Sequence, residues 1–537
     1  MMILNEKPMK KQTFLQGAAI LALATAIVKV IGACYKIPLG NIIGDAGYGY
    51  FTTAYDIYSV LLMISTTGLP VAMSRMISEA QALEQGAQIR KIYHTALYVF
   101  LLIGLLGSVG MLLFCRQLSI LVTGFDTSWA AIAALAPSVL FICVISAYRG
   151  FFQGQSNMTP TSISQIFEAL CKLLIGLGCA WLVLKKTGDV TLAAGGAILG
   201  VTIGCVVSMA YLSYQYHRAA PALSANAGPT KTTKQTMQQL LAIAIPITLG
   251  AAGLQIINLA DTMVFMRRLT GAAGFSQDAA ETAKGIYNFC QTIFNLPCAF
   301  ITPITVSVIP AITGHLTLKN ARGARIVEES SVRIMALISM PCALGLASLS
   351  GPILQLLRGY EGQNLMIGSA ILAILGICVI FNSLVLLTNA IMQAHGDVTT
   401  PVIHMLIGGV VKIIVNYILV GIPSIHIIGA AVGTVCCYLS ITVLNLIAMR
   451  RDPQTKPKIF SVAGKPLLAS LIMGACAYMI NGLLCAYLPS RSLACLLAIA
   501  AACVIYLILV IAFQIITYDD CLLLPKGDKI ARFLKIH

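Results

Sequence analysis

Apolar residues fall in blocks of about 20, separated by short polar or basic stretches, along almost the whole of the 537-residue chain. A block of that length crosses a ~30 Å hydrocarbon core as a helix. Within lipid every backbone N–H and C=O must be satisfied inside the protein, which selects helices. The blocks are continuous rather than alternating, so the pattern is not that of a β-barrel. About 14 spans are predicted on this length criterion, at 12–35, 47–70, 92–115, 129–152, 161–184, 192–213, 239–263, 284–309, 330–350, 366–391, 400–421, 427–448, 465–487 and 493–516. The expected fold class is all-α, a polytopic membrane protein.

The polar breaks carry a repeat. Residues 153–172 read QGQSNMTPTSISQIFEALCK and residues 393–412 read QAHGDVTTPVIHMLIGGVVK. Each copy has a Gln, a polar turn, a Pro and an apolar helix with one Lys, Lys172 or Lys412. Gln153 and Gln393, and likewise Pro70 and Pro310, lie about 240 residues apart, so a unit of about six helices is duplicated. The expected organisation is an N-terminal lobe over 1–216 and a cytoplasmic linker over 217–235. A pseudo-symmetric second lobe over 236–449 follows, and 450–537 holds two further helices and a basic tail.

Composition agrees and adds orientation. The chain is 58% hydrophobic and 10% charged, with a formal net charge of +16. With the N-terminus inside, most Lys and Arg fall on the cytoplasmic side, in clusters at Lys7–Lys11, Arg75–Lys91, Arg218–Lys234, Lys319–Arg333, Arg450–Lys465 and Lys526–Lys535. The main exceptions are Lys185–Lys186 and Arg267–Arg268. That bias places both termini in the cytoplasm of a plasma-membrane protein. It explains most of the positive charge through anionic lipid, with no nucleic acid required. The first apolar block continues past Ala24-Thr25-Ala26, too far for a cleaved signal peptide, so it reads as an uncleaved helix. The 17 Cys are scattered through apolar spans without a C-x-x-C pair, as small hydrophobes in helix packing, and no metal site is expected. No P-loop is present, and the short outer loops disfavour a membrane glycosyltransferase or polymerase.

Ionisable residues within the spans are the functional candidates, because each costs a few kcal/mol unless it faces water or a partner. They are Lys29, Asp56, Arg149, Glu168, Lys172, Asp261 and Lys412, with Lys36 near a span end. Lys29 and Lys36 are seven apart and share one face of the first helix, where two cations attract a phosphate or pyrophosphate. Glu168 and Lys172 are four apart in the favourable order for an ion pair, read either as self-neutralising packing or as the wall of a wet cavity. Asp261 is the acid expected to approach Lys412, either as a coupling element or as a structural salt bridge. Tyr287, Asn288 and Gln291, with Tyr55 and Tyr58, provide donors and acceptors for a sugar head group or serve as interhelical glue.

The stretch KVIGACYKIPLGNIIGDAGYGYFTTAYDIYSVLLMISTTGLPVAMSRMISE (29–79), the two repeated segments and NLADTMVFMRRL (258–269) resemble the stage V sporulation protein B-like polysaccharide transporters. These belong to the multidrug/oligosaccharidyl-lipid/polysaccharide flippase superfamily, which also contains the lipid II flippase. The resemblance implies twelve core helices in two lobes around a cavity, plus two helices that shape a groove for a lipid tail. It also implies that cations on helices one, two and eight meet the pyrophosphate. Lys29 and Lys36 match the helix-one cations in position, as Lys rather than Arg. Helix two has Asp56 in mid-span with Arg75 at its cytoplasmic end, and helix eight has Lys284 at its outer start.

The resulting expectation is a flippase, not an enzyme, without cofactors. It moves an undecaprenyl-pyrophosphate-linked saccharide, lipid II or another cell-envelope precursor, from the inner to the outer leaflet by alternating access. The expected partners are the lipid-linked saccharide, membrane lipid and cell-wall synthesis enzymes, and the expected state is a monomer. The alternative is a cation-coupled multidrug antiporter of the same fold, which needs a dominant acidic cavity; the excess of buried cations speaks against it. A scaffold in a sporulation or division complex would tolerate neutralising Lys29.

Overall fold

The computed structural model describes residues 14–219, 231–451 and 459–516. Lys7, Lys10 and Lys11, most of the 217–235 linker, most of the 450–458 loop and the 526–537 tail lie outside the described residues. All regular structure within them is helical. The helices are α1 (Phe14–Met63), α2 (Leu69–Ala82), α3 (Gly86–Leu113), α4 (Cys115–Thr123), α5 (Trp129–Gly154), α6 (Thr159–Cys171), α7 (Leu177–Thr187), α8 (Val190–Ala219), α9 (Thr233–Gly271), α10 (Gln277–Thr317), α11 (Ala321–Ser348), α12 (Ser350–Arg358), α13 (Gly362–Ala394), α14 (Thr399–Leu419), α15 (Ile428–Arg451), α16 (Ile459–Tyr487) and α17 (Arg491–Ala512). π-helical turns at Ile64–Gly68 and Lys172–Gly176 join α1 to α2 and α6 to α7.

Among the described residues, 12 helices are long and apolar enough to cross a membrane, so the chain is a multi-pass membrane protein. One of the 12, Leu23–Ala82, is a single 60-residue run that contains the second expected span and the latter part of the first. Gly44 breaks it, at φ 72° and ψ −176°, a region that a side chain disfavours strongly. The expected span at 284–309 lies within α10, which is not among the 12. Leu102, Leu105, Leu106 and Leu112 of α3 are exposed apolar side chains, as lipid-facing positions should be.

The repeat seen in sequence is also present in backbone geometry. α3 ends at Phe114 (φ −104°, ψ 20°), and after the short α4 the chain reverses at left-handed Gly124. α11 ends at Leu349 (φ −108°, ψ 21°), and α12 reverses at left-handed Gly359. The α5–α6 and α13–α14 turns repeat their hydrogen bonds: Ser156 N–H donates to Gln153 O and Asn157 N–H to Phe152 O, while Gly396 N–H donates to Gln393 O and Asp397 N–H to Met392 O. The side chains of Asn157 and Asp397 then accept from the first turn of the next helix, at Thr159 N and Thr400 N.

The chain divides into two compact units, 1–267 with 277–285, and 268–276 with 286–537. The first therefore takes α9 up to Arg267 and the start of α10, beyond the expected boundary at 216–236. Local contacts explain this. Lys231 N–H donates to Gln88. Gly49 lies so close to Glu281 that a Cβ there would sit 2.8 Å from the Glu281 carbonyl oxygen, and Gly285 backs onto the Asp45 backbone. Within this unit α5 packs against α3 and α8, and α8 against α6. In the second unit α11 packs against α13 and α16, and α16 against α17. Ala469, Ala477, Ala498 and Ala502 are buried there and permit close helix approach.

Candidate functional site

The first unit gathers most of the expected intramembrane charges. In α1, Lys29 is exposed and Lys36 half-buried, on the limb before the Gly44 break. Phe51, Tyr55 and Asp56 lie on the limb after it. The Asp56 charge acts on Lys36, and the Lys36 charge acts on Lys172.

Both carboxylates of the cluster are matched. Arg149 Nη2 lies 3.2 Å from Glu168 Oε2, and Arg149 Nε donates to Ser164 Oγ at 3.1 Å. Ser164 and Glu168 are one turn apart on α6, so the planar guanidinium spans both. Asp56 Oδ2 lies 3.6 Å from Lys284 Nζ and accepts from Thr262 Oγ1 at 3.3 Å. The Lys284 side chain is 3% exposed against 34% for Asp56, and Lys284 also donates to Thr53 Oγ1.

The expected i, i+4 pair between Glu168 and Lys172 takes a different form. The Glu168 carboxylate goes to Arg149, although its charge still reaches Lys172. The Lys172 ammonium lies over the rings of Tyr55 at 4.5 Å, Tyr35 at 5.0 Å and Phe51 at 6.0 Å. Lys172 opens the π-helical turn, whose extra residue re-aims the side chains that follow it. α8 approaches closely here: a Cβ on Gly204 would sit 2.9 Å from the Glu168 carbonyl, and Gly200 abuts the Gly176 backbone. Among the described residues, neither Lys36 nor Lys172 has a carboxylate at salt-bridge distance. With Arg149 and Lys284 matched, Lys36 and Lys172 are the cations of this cluster without a salt-bridge carboxylate among the described residues.

The other candidates lie elsewhere. Tyr287, Asn288 and Gln291 belong to the second unit. There Gln291 Nε2 donates to the Tyr287 hydroxyl at 3.0 Å, which meets Thr434 Oγ1 of α15 at 2.9 Å. That network ties α10 to α15. Asp261 is buried in the first unit, and Lys412 is half-buried in the second, where its charge acts on Tyr438 and Cys378. Sequence reasoning did not find the Arg149–Glu168 pair, the use of Lys284 as partner of Asp56, or the rings around Lys172. The i, i+4 spacing of Phe51 and Tyr55 was the one visible signal for the last.

A sequence model described as polysaccharide biosynthesis protein matches residues 14–314, and one described as MatE matches residues 279–418. The lipid II flippase MurJ of Bacillus subtilis (strain 168) is 25% identical over 510 residues, covering 91% of this chain and 93% of that protein. The stage V sporulation protein B of the same organism is 24% identical, covering 96% and 98%. Among solved structures, the lipid II flippase MurJ in an inward closed conformation superposes with a TM-score of 0.67 at 16% identity, covering 92% of this chain and 98% of that one. An inward-facing MATE family transporter of the MOP superfamily gives 0.65 at 13% identity, covering 81% and 98%. At these identities the structural likeness concerns the fold, and it is the fold expected from the sequence.

Proposed function

Because the chain belongs to the polysaccharide biosynthesis protein family, we propose that it is a flippase for an undecaprenyl-pyrophosphate-linked saccharide, a precursor of peptidoglycan or of another envelope polysaccharide. It carries the head group from the inner to the outer leaflet of the plasma membrane by alternating access. No bond is made or broken, and the reading needs no cofactor. The similarity to a protein named lipid II flippase over nine-tenths of both chains supports the substrate class. Both termini are assigned to the cytoplasm, the working form is a monomer, and cell-wall synthesis enzymes supply and consume the substrate.

The observation that carries this reading is the pair Lys36 and Lys172, neither of which has a salt-bridge carboxylate among the described residues. A diphosphate diester bears one negative charge on each phosphate, and two ammonium groups without carboxylate partners complement it. The multidrug-antiporter alternative is less favoured, since both carboxylates of the cluster are already occupied by Arg149 and Lys284 and offer nothing to a cationic drug.

The test is outer-leaflet accessibility of a fluorescent undecaprenyl-diphosphate saccharide in proteoliposomes containing the full chain. Lys36→Ala and Lys172→Ala should each slow translocation about tenfold or more, the loss of one charge-assisted phosphate contact. Lys29→Ala, on the same face of α1, should have a smaller effect. Wild-type rates in the Lys36→Ala/Lys172→Ala double variant would overturn the assignment.

A further inference from the structure

Lys172 lies within reach of the like charge of Lys36. The common solution to such a juxtaposition is an interposed carboxylate, which stabilises the pair but cancels the charge an anionic ligand needs. A ring face differs: its quadrupole attracts a cation while contributing no net charge. Lys172 has three ring faces, with Tyr55 at 4.5 Å, Tyr35 at 5.0 Å and Phe51 at 6.0 Å. Glu168, the carboxylate whose charge reaches Lys172, is engaged by Arg149.

The rings are held in place. The Tyr35 hydroxyl donates to the Ala197 carbonyl of α8 at 3.0 Å. Its ring lies against Gly176, where a Cβ would sit 3.1 Å from it. Phe51 packs on Tyr35 at 5.8 Å, on Tyr48 at 6.0 Å and on Tyr55 at 4.8 Å. Tyr55 meets Tyr58 edge-on at 6.0 Å. These centroid distances are those of interlocked aromatic pairs.

We propose that Tyr35, Phe51 and Tyr55 are positioning residues that hold the Lys172 ammonium beside Lys36 without cancelling its charge, so that both ammonium groups together receive the diphosphate of the substrate. This rests on the flippase reading of the same cluster. The rings replace a counter-ion: they stabilise the cation and leave the site net positive.

The test uses the full chain in detergent micelles and farnesyl diphosphate as probe, with affinity measured by calorimetry and folding by thermal unfolding. Tyr55→Phe keeps the ring face and should bind within about twofold of wild type. Tyr55→Leu removes it and should weaken binding about three- to tenfold, the range of a partly desolvated cation–π contact. Tyr55→Glu should weaken binding further although it supplies a counter-charge to Lys172, which separates charge availability from mere stabilisation. If Tyr55→Leu does not fold, Phe51→Leu against Phe51→Tyr provides the same comparison. Wild-type affinity in folded Tyr55→Leu or Tyr55→Glu would overturn the ring assignment and leave the flippase reading standing. A wild-type protein that does not bind the probe would overturn both.

Discussion

Replacing Glu168 with Gln removes the carboxylate that Arg149 meets at 3.2 Å and keeps nearly the same side-chain shape. At that separation and an effective dielectric of about 20, the lost attraction is about 5 kcal/mol. Removing one partner of a buried pair typically costs about 3–5 kcal/mol. Here the side chains are 12% and 27% exposed, so water recovers part of the loss and about 2–3 kcal/mol remains. Arg149→Gln breaks the same bond and should cost a similar amount. The two variants differ in what they do to an anion. Glu168→Gln raises the net charge of the cluster by one and Arg149→Gln lowers it by one. Glu168 is one helical turn from Lys172, about 6 Å along α6, so each change should shift diphosphate binding by about 1 kcal/mol, or about fivefold. Thermal unfolding should therefore fall for both variants, while farnesyl diphosphate affinity rises for Glu168→Gln and falls for Arg149→Gln. Raising the salt concentration should narrow the gap between them. If both variants lose affinity in step with stability, the site does not act through its net charge, and the reasoning fails.

Asp56→Ala should destabilise the first unit more than Lys284→Met, since the first takes the salt-bridge carboxylate from a buried ammonium and the second leaves a carboxylate that is one-third exposed; equal unfolding midpoints would contradict this. Gly44→Ala should cost about 1–3 kcal/mol for conformational reasons alone, because a Cβ there meets nothing within 4 Å; an unchanged midpoint in thermal unfolding would show that the α1 break does not need glycine. Asp397 caps α14, and its hydrogen bonds from Thr400 hold its carboxyl below the ordinary range. Its folded-state value is depressed, so the stabilisation is present above the unfolded value of about 4 and is lost as pH falls through the folded one. Asp397→Asn, which reproduces Asn157 of the first repeat, should keep the cap, worth about 1 kcal/mol, and remove that acid-side loss. Unfolding midpoints of the two proteins that fall in parallel between pH 5 and 3 would refute the assignment.

The sequence by itself determined the membrane architecture, because lipid imposes a rule that acts on local segments: about 20 apolar residues in a row become a helix. The repeat was legible for a similar reason. A helix–turn–helix reversal is a short-range structure, so the residues at 153–160 and at 393–401 carry their own instructions and yield the same hydrogen bonds twice. The partners of the charges were not legible in this way. Glu168 had two candidate cations, Lys172 in its own helix and Arg149, 19 residues back; helical spacing favoured Lys172, and the packing of α5 against α6 delivered the Arg149 fork instead. Lys284 reaches Thr53 across 231 residues because Gly49 and Gly285 let α10 lie against α1. The rings around Lys172 come from a helix far away in sequence, aimed by the Gly44 break and by the close approach at Gly176 and Gly200. Which residues are charged inside the membrane is a property of the chain. Which of those charges stay uncancelled depends on which helices touch, and it is that remainder that can hold a ligand.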